Sequence, residues 1–203
     1  MKLGLVTDIH EELATLRVAL DRFQHAQVEQ VIVIGDLLKL GEQIAETCQM
    51  LAAAGAIGVW GNHDFGLCVD ENLRREYPPG TLDFMTTLRP RLEFAGCHFC
   101  HVEPWLNPER IEDLWYFEGP PDHPDKLARI FAATDCRVMF AGHYHKWLAA
   151  TPDGLLDWNG SQPLLLAPKQ RYFVTVAAIC HGSYAIYDTE SNLLTPWNER
   201  LPD

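Results

Sequence analysis

The apolar positions at the start of the chain come in short continuous runs, each followed by a helical pattern. Lys2 to Thr7 alternates and is β-rich, which predicts a buried strand ending at Asp8-Ile9-His10. Glu11 to His25 then places Leu13, Leu16, Leu20 and Phe23 at helical spacing, with acidic residues in the first turn. Gln30 to Ile34 is a second strand, closed by Gly35-Asp36, and Glu42 to Ala54 a second helix, stopped by Gly55. Ala56 to Trp60 is a third strand running into Gly61-Asn62-His63-Asp64. Strands alternating with helices predict parallel βαβ units, whose ligands gather at the carboxyl ends of the strands.

The pattern then loosens. Val69 to Leu88 predicts two helices separated by Tyr77-Pro78-Pro79-Gly80, and the segment from Leu92 a short hairpin whose second strand ends near His101. Glu103 to Asp125 carries five prolines among Trp105, Trp115, Tyr116 and Phe117 and reads as an aromatic insertion. Residues 103–124 either form a lid whose rings stack on a nucleobase or pack a long loop against the domain, and packing is the preferred reading. Lys126 to Ala133 predicts a helix, and Arg137 to Ala141 a strand leading to Gly142-His143-Tyr144-His145. From Trp147 onward the pattern is mostly β, broken at Pro152-Asp153-Gly154 and Glu190-Ser191-Asn192. No repeat and no boundary interrupts it, so residues 1–203 are expected to form a single α/β domain.

Composition narrows the function. Apolar residues make up 47 % of the 203 positions and charged residues 22 %, a globular balance. The net charge of −12 repels polyanions, which disfavours long nucleic acid as a partner. No apolar run is long enough to span a membrane, and a carboxylate arrives as early as Asp8, so a cytoplasmic location is expected. Cys97-x-x-Cys100-His101 matches a c-type haem attachment pattern. That chemistry belongs to exported proteins, and buried thiols on a strand are the preferred reading.

Metal-capable side chains cluster at the strand ends: Asp8 and His10, then Asp36, then Asn62, His63 and Asp64, then His101, then His143 and His145. Five of the nine histidines fall there. Taken singly each has a mundane explanation, but strand ends converge in an α/β sheet. Imidazole and oxygen donors without a thiolate suit divalent Mn, Fe, Co, Ni or Zn; two divalent ions are expected, with Mn favoured.

The ordered series Asp8-x-His10, Gly35-Asp36, Gly61-Asn62-His63-Asp64, His101 and Gly142-His143-x-His145 resembles the calcineurin-like metallophosphoesterase superfamily in its small single-domain form. The resemblance implies a four-layer α/β/β/α sandwich of two mixed β-sheets flanked by helices. It implies that Asp8, His10 and His145 bind one ion, that Asn62, His101 and His143 bind the other, and that Asp36 bridges them. His63 is implied to be the catalytic histidine, with Asp64 orienting it. The implied reaction is hydrolysis of a phosphate monoester or diester by a metal-bridging hydroxide, on a small phosphorylated substrate such as a nucleotide. A metal-binding scaffold without turnover is the alternative; lost ligands would mark it, and the set here is complete.

The chain departs from the pattern in two places. Many small relatives have Gly-Asn where Glu11-Glu12 stands; these acids either open the first helix, the preferred reading, or reach the site. The stretch Val174 to Ser183 lacks the Asn-Pro-Gly-Ser turn that serves the phosphate pocket in many relatives. Arginines expected beside the motifs of protein phosphatases are replaced by Leu37-Leu38-Lys39-Leu40-Gly41.

Overall fold

A computed structural model describes residues 1–199. Strands β1 (Lys2–Val6), β2 (Gln30–Ile34) and β3 (Ile57–Val59) pair in parallel through the crossover helices α1 (Leu13–His25) and α2 (Ile44–Ala53). Beyond β1 lie three antiparallel neighbours: β11 (Ser183–Asp188), β12 (Leu193–Asn198) and β9 (Leu164–Leu165). These six strands form one sheet.

The second six-stranded sheet runs in the order β4 (Leu92–Phe94), β5 (Cys97–Cys100), β6 (Val138–Ala141), β10 (Tyr172–Thr175), β7 (Leu148–Thr151) and β8 (Gly154–Leu155). Its middle three, β5, β6 and β10, are parallel. Among the described residues four shorter helices follow: α3 (Phe65–Val69), α4 (Glu71–Arg74), α5 (Ile111–Leu114) and α6 (Pro124–Ala132).

The strands read as continuous apolar runs because both of their faces are covered. In β2, Ile32 and Ile34 point between the sheets to meet Phe99 and Phe140, whereas Val31 and Val33 meet Leu16, Phe23 and Leu51 of α1 and α2. In β6, Val138 and Phe140 face the inter-sheet core, while Met139 and Ala141 pack under Leu127, Ile130 and Phe131 of α6. Helix, sheet, sheet and helix therefore stack as four layers, each interface an apolar cluster. Among the described residues no helix is long and apolar enough to cross a membrane.

Two local expectations change. The first helix starts at Leu13 with no acidic residue in its first turn, because Glu11 is engaged elsewhere. The region from Val69 to Leu88 holds only the ends of α3, the short α4 and a 3-10 turn at Asp83–Thr87, since Pro78-Pro79-Gly80 denies a helix its length. Segment 103–124 is anchored on the domain at several points: Leu106 and Leu114 are in the core, and Trp60 Nε1 donates to the Pro108 carbonyl at 2.8 Å. Cys97 and Cys100 are both buried on opposite faces of β5, one between the sheets and one under α6, as expected of packing thiols.

Candidate metal centre

The parallel strands of both sheets end at one edge, and their following loops are tied together by backbone bonds. Asp8 N donates to Gly35 O, His10 N to Asp36 O, Gly142 N to His101 O and Ile179 N to Thr7 O. Asp8, His10, Glu11, Asp36, His143 and His145 all adopt positive φ, six of the nine non-glycine residues that do so among those described. Left-handed backbone costs such residues about 1 kcal/mol or more each. The strain is concentrated where side chains must turn back toward the strand ends.

Glycines make the close approach possible. A Cβ at Gly61 would strike the Asp36 carboxylate and backbone, and one at Gly142 would strike Thr7 Oγ1 and Asp8 Oδ2.

The seven candidate ligands meet in two groups. In the first, His10 Nε2 and His145 Nε2 are 3.3 Å apart, and Asp8 Oδ1 lies 3.1 Å from the His145 nitrogen and 4.0 Å from that of His10. His10 Nδ1 faces the Leu38 carbonyl at 3.0 Å, so that nitrogen carries the proton and Nε2 presents a lone pair. Asp8 Oδ2 accepts from Thr7 Oγ1 and His143 N, while the buried Oδ1 has no hydrogen-bond partner. In the second group Asn62 Oδ1 lies 3.1 Å from His101 Nε2 and 3.0 Å from His143 Nδ1. His101 Nδ1 donates to Ile34 O at 2.7 Å.

Asp36 stands between them. Its Oδ2 is 3.3 Å from His101 Nε2 and 3.9 Å from His10 Nε2, and its Oδ1 accepts from His63 N at 3.0 Å. A buried carboxylate oxygen facing one nitrogen from each of two imidazoles makes a donor set that a divalent ion fits. Burial disfavours charge on Asp36, yet His101 and the His63 N–H hold its carboxyl well below the usual range. Burial likewise opposes charge on His101, but Asp36 and Asp8 raise it to about 9. The Asp8 carboxylate raises His145 to about 10, whereas burial and the charge of His101 lower His143 to about 4.

His63 is half-buried, with its ring 4.9 Å from that of His10 and 5.0 Å from that of Trp115. Its ring nitrogens make no hydrogen bond among the described residues. A cavity of about 260 Å³ beside it is lined by Leu38, Leu67, Leu73 and Tyr77. A cavity of about 1010 Å³ between α2 and Phe84 carries none of this chemistry.

Two acids play parts other than those expected. Asp64 does not orient His63: Oδ1 accepts from Leu37 N at 2.8 Å and Leu38 N at 3.1 Å, and Oδ2 from Gly61 N at 3.0 Å. Both oxygens are taken, and burial with nearby Asp36 pushes its carboxyl up to about 6 despite those donors. Glu11 neither opens α1 nor enters the site. Its Oε1 accepts from the backbone of Lys39, Leu40 and Gly41, and Oε2 from Gln43 N at 2.9 Å. Tyr144 turns from the ligands and donates to Glu103 at 2.9 Å.

Spacing did not single out three neighbours of the centre. Cys180 Sγ lies 3.8 Å from His145 Nδ1, and the His181 ring 5.1 Å from that of His145, both set by the 3-10 turn at Ile179–His181. Phe117, 62 % exposed, stands 5.9 Å from the His143 ring. The only sequence signal for Cys180 and His181 was their place where the family's late turn is missing.

Residues 1–181 match the calcineurin-like phosphoesterase superfamily domain, and the chain belongs to that family of phosphoester hydrolases, whose members usually bind divalent metals. An uncharacterised protein of Methanocaldococcus jannaschii is 21 % identical, over 92 % of this chain and 82 % of its own. A metallophosphoesterase from Sphaerobacter thermophilus superposes with a TM-score of 0.79 at 20 % identity, covering 99 % of this chain and 89 % of that one. An archaeal phosphodiesterase gives 0.56 at 17 %, covering 97 % and 98 %. At these identities the solved structures share the fold.

Proposed function

We propose that the protein hydrolyses a small phosphate ester at a pair of divalent ions. Asp8, His10 and His145 hold one ion, Asn62, His101 and His143 the other, and Asp36 both. The carrying observation is the buried Asp8 Oδ1 facing two imidazole nitrogens beside a second donor group that shares Asp36. When bound, two such ions lower the pKa of water and neutralise charge at phosphorus. With two dications and two carboxylates the centre is positive inside a chain of −12, so a phosphate is drawn to it locally. The centre's four imidazoles and three oxygen donors suit Mn, Fe, Co, Ni or Zn as the resident ion, and Mn²⁺ is the one proposed.

His63 serves as proton donor to the departing alkoxide. Its backbone N–H is anchored on Asp36, its ring is wedged between His10 and Trp115, and its nitrogens are free to meet substrate. Trp115, 54 % exposed, and Phe117 stand over the centre, while Trp105 and Tyr116 pack inward against each other at 5.5 Å. Two exposed rings beside the reacting phosphate favour an ester with a planar group, a nucleotide foremost. The test is Mn-reconstituted protein assayed against phosphomonoesters, linear and cyclic phosphodiesters, and nucleotides. Turnover confined to metal-loaded protein is expected; no turnover of any ester by protein holding two ions would overturn the reading.

A further inference from the structure

A second cluster of ligand-type side chains lies at the far end of β5 from His101. Glu93 on the edge strand β4 sits directly across from His98 on β5, and Cys136 precedes β6. His98 is only 5 % exposed, and both of its ring nitrogens lack a hydrogen-bond partner. Leaving such a group unsatisfied is costly, and buried polar atoms in native proteins nearly always find a partner. His98 Nδ1 is 3.6 Å from Glu93 Oε1, and that oxygen is 3.8 Å from Cys136 Sγ. The three donor atoms all fall within 4.8 Å of one another.

We propose that Glu93, His98 and Cys136 form a Zn²⁺ site separate from the catalytic centre. Tetrahedral zinc with bonds of about 2.0 to 2.3 Å has donor-to-donor edges of roughly 3.3 to 3.8 Å, which two of the three separations here already match. Glu93 is 71 % exposed in its side chain and free to close the remainder. The thiol makes the set softer than the nitrogen and oxygen donors around Asp36, so zinc, cobalt or cadmium is taken in preference to manganese. Binding releases the Cys136 thiol proton to solvent, and thiolate with carboxylate balances the charge of the ion. Burial lowers the pKa of His98 despite Glu93, which favours the neutral imidazole that ligates a metal. Three protein donors leave the fourth position to water, which makes the ion exchangeable. Once bound, it staples the edge strand to the turn before β6.

Cobalt reports the site directly, because thiolate ligation gives a charge-transfer absorption in the near ultraviolet that nitrogen and oxygen ligands do not. Burial pushes the Cys48, Cys97 and Cys100 thiols up to about 12 and Cys68 higher still, so none of them competes. Cys180 beside His145 is the control. Full-length metal-free protein is titrated with Co²⁺ as wild type, Cys136→Ser, Cys180→Ser and Glu93→Gln. The band should appear in wild type and Cys180→Ser and vanish in Cys136→Ser, and Glu93→Gln should weaken its midpoint at least about 10-fold. Circular dichroism confirms the fold of each variant; should Cys136→Ser fail to fold, the surface variant Glu93→Gln decides alone. Absence of the band in wild type, its survival in folded Cys136→Ser, its loss in Cys180→Ser, or an unmoved midpoint in Glu93→Gln overturns the proposal.

Discussion

Replacing Glu11 by Gln tests how the loops around the centre are held. The carboxylate accepts four backbone N–H groups from residues 39 to 43, and that loop begins at Leu38, whose carbonyl fixes the His10 tautomer at 3.0 Å. An amide can serve one side of this fan, but its NH₂ then opposes the N–H on the other. A hydrogen bond to a charged group contributes about 1.5–3 kcal/mol, and the variant loses one outright while weakening the rest. Water reaches the exposed Lys39 and Leu40 and offsets part of the loss, so about 2 kcal/mol of stability should go. Loosening the Leu38 carbonyl should also weaken metal binding by about 10- to 100-fold, the usual effect of losing a group that orients a ligand. Urea unfolding of metal-free protein and calorimetric Mn²⁺ titration measure the two effects. Burial raises the Glu11 carboxyl, but the four N–H groups outweigh it and bring it below its ordinary 4.5. A depressed pKa stabilises the fold above that value, so the gap between wild type and variant should persist at neutral pH and close as pH falls through and below 4.5. An unchanged urea midpoint together with unchanged metal affinity would refute the clamp.

His63→Asn should keep its metal content and lose about two to four powers of ten in kcat, less for nitrophenyl esters, whose leaving group departs without a proton. Full activity on a poor leaving group would remove His63 from proton transfer. In metal-free protein His101 and His145, at about 9 and about 10, are protonated at pH 7, whereas a ligating imidazole is neutral. Metal loading should therefore release about two protons and strengthen as pH rises toward 9; calorimetry in buffers of different ionisation enthalpy counts them, and zero release contradicts the assignment. Trp115→Ala should raise KM for nucleotides about 5- to 100-fold and leave KM for a small alkyl phosphate near wild type. Equal effects on both substrates would assign Trp115 to packing.

Much of the site was legible because the strand-end motifs are local: Gly35-Asp36 and Gly61-Asn62-His63 carry their chemistry and their tight turn in consecutive residues. The four layers came with the family resemblance and not from the pattern, since β2 and β6 read only as apolar runs, and which residues face helix or sheet emerges from the pairing. Glu11 and Asp64 were misread for one physical reason. A carboxylate beside a catalytic motif looks like a capping or orienting group, but its true partners are backbone N–H groups of other loops, and backbone donors leave no mark in spacing. The insertion was recognised as aromatic, yet nothing in the order Trp105, Trp115, Tyr116, Phe117 says which rings turn inward. Trp105 and Tyr116 are selected by α6, where Arg129 lies 4.4 Å over the Trp105 ring. The left-handed backbone at five of the seven ligand positions is equally silent in sequence, because those residues avoid it unless the surrounding fold imposes it.

The central claim is a pair of ions sharing Asp36, and the most direct measurement is manganese content per chain after saturating reconstitution and removal of excess metal, for wild type and Asp36→Asn. Manganese does not favour the thiol site at Cys136, so the count reads the strand-end centre alone. Two ions per wild-type chain are predicted, with both weakened in Asp36→Asn, where the shape survives and the shared negative charge is gone. One ion per wild-type chain, or an Asp36→Asn variant that binds two as tightly as wild type, would contradict it.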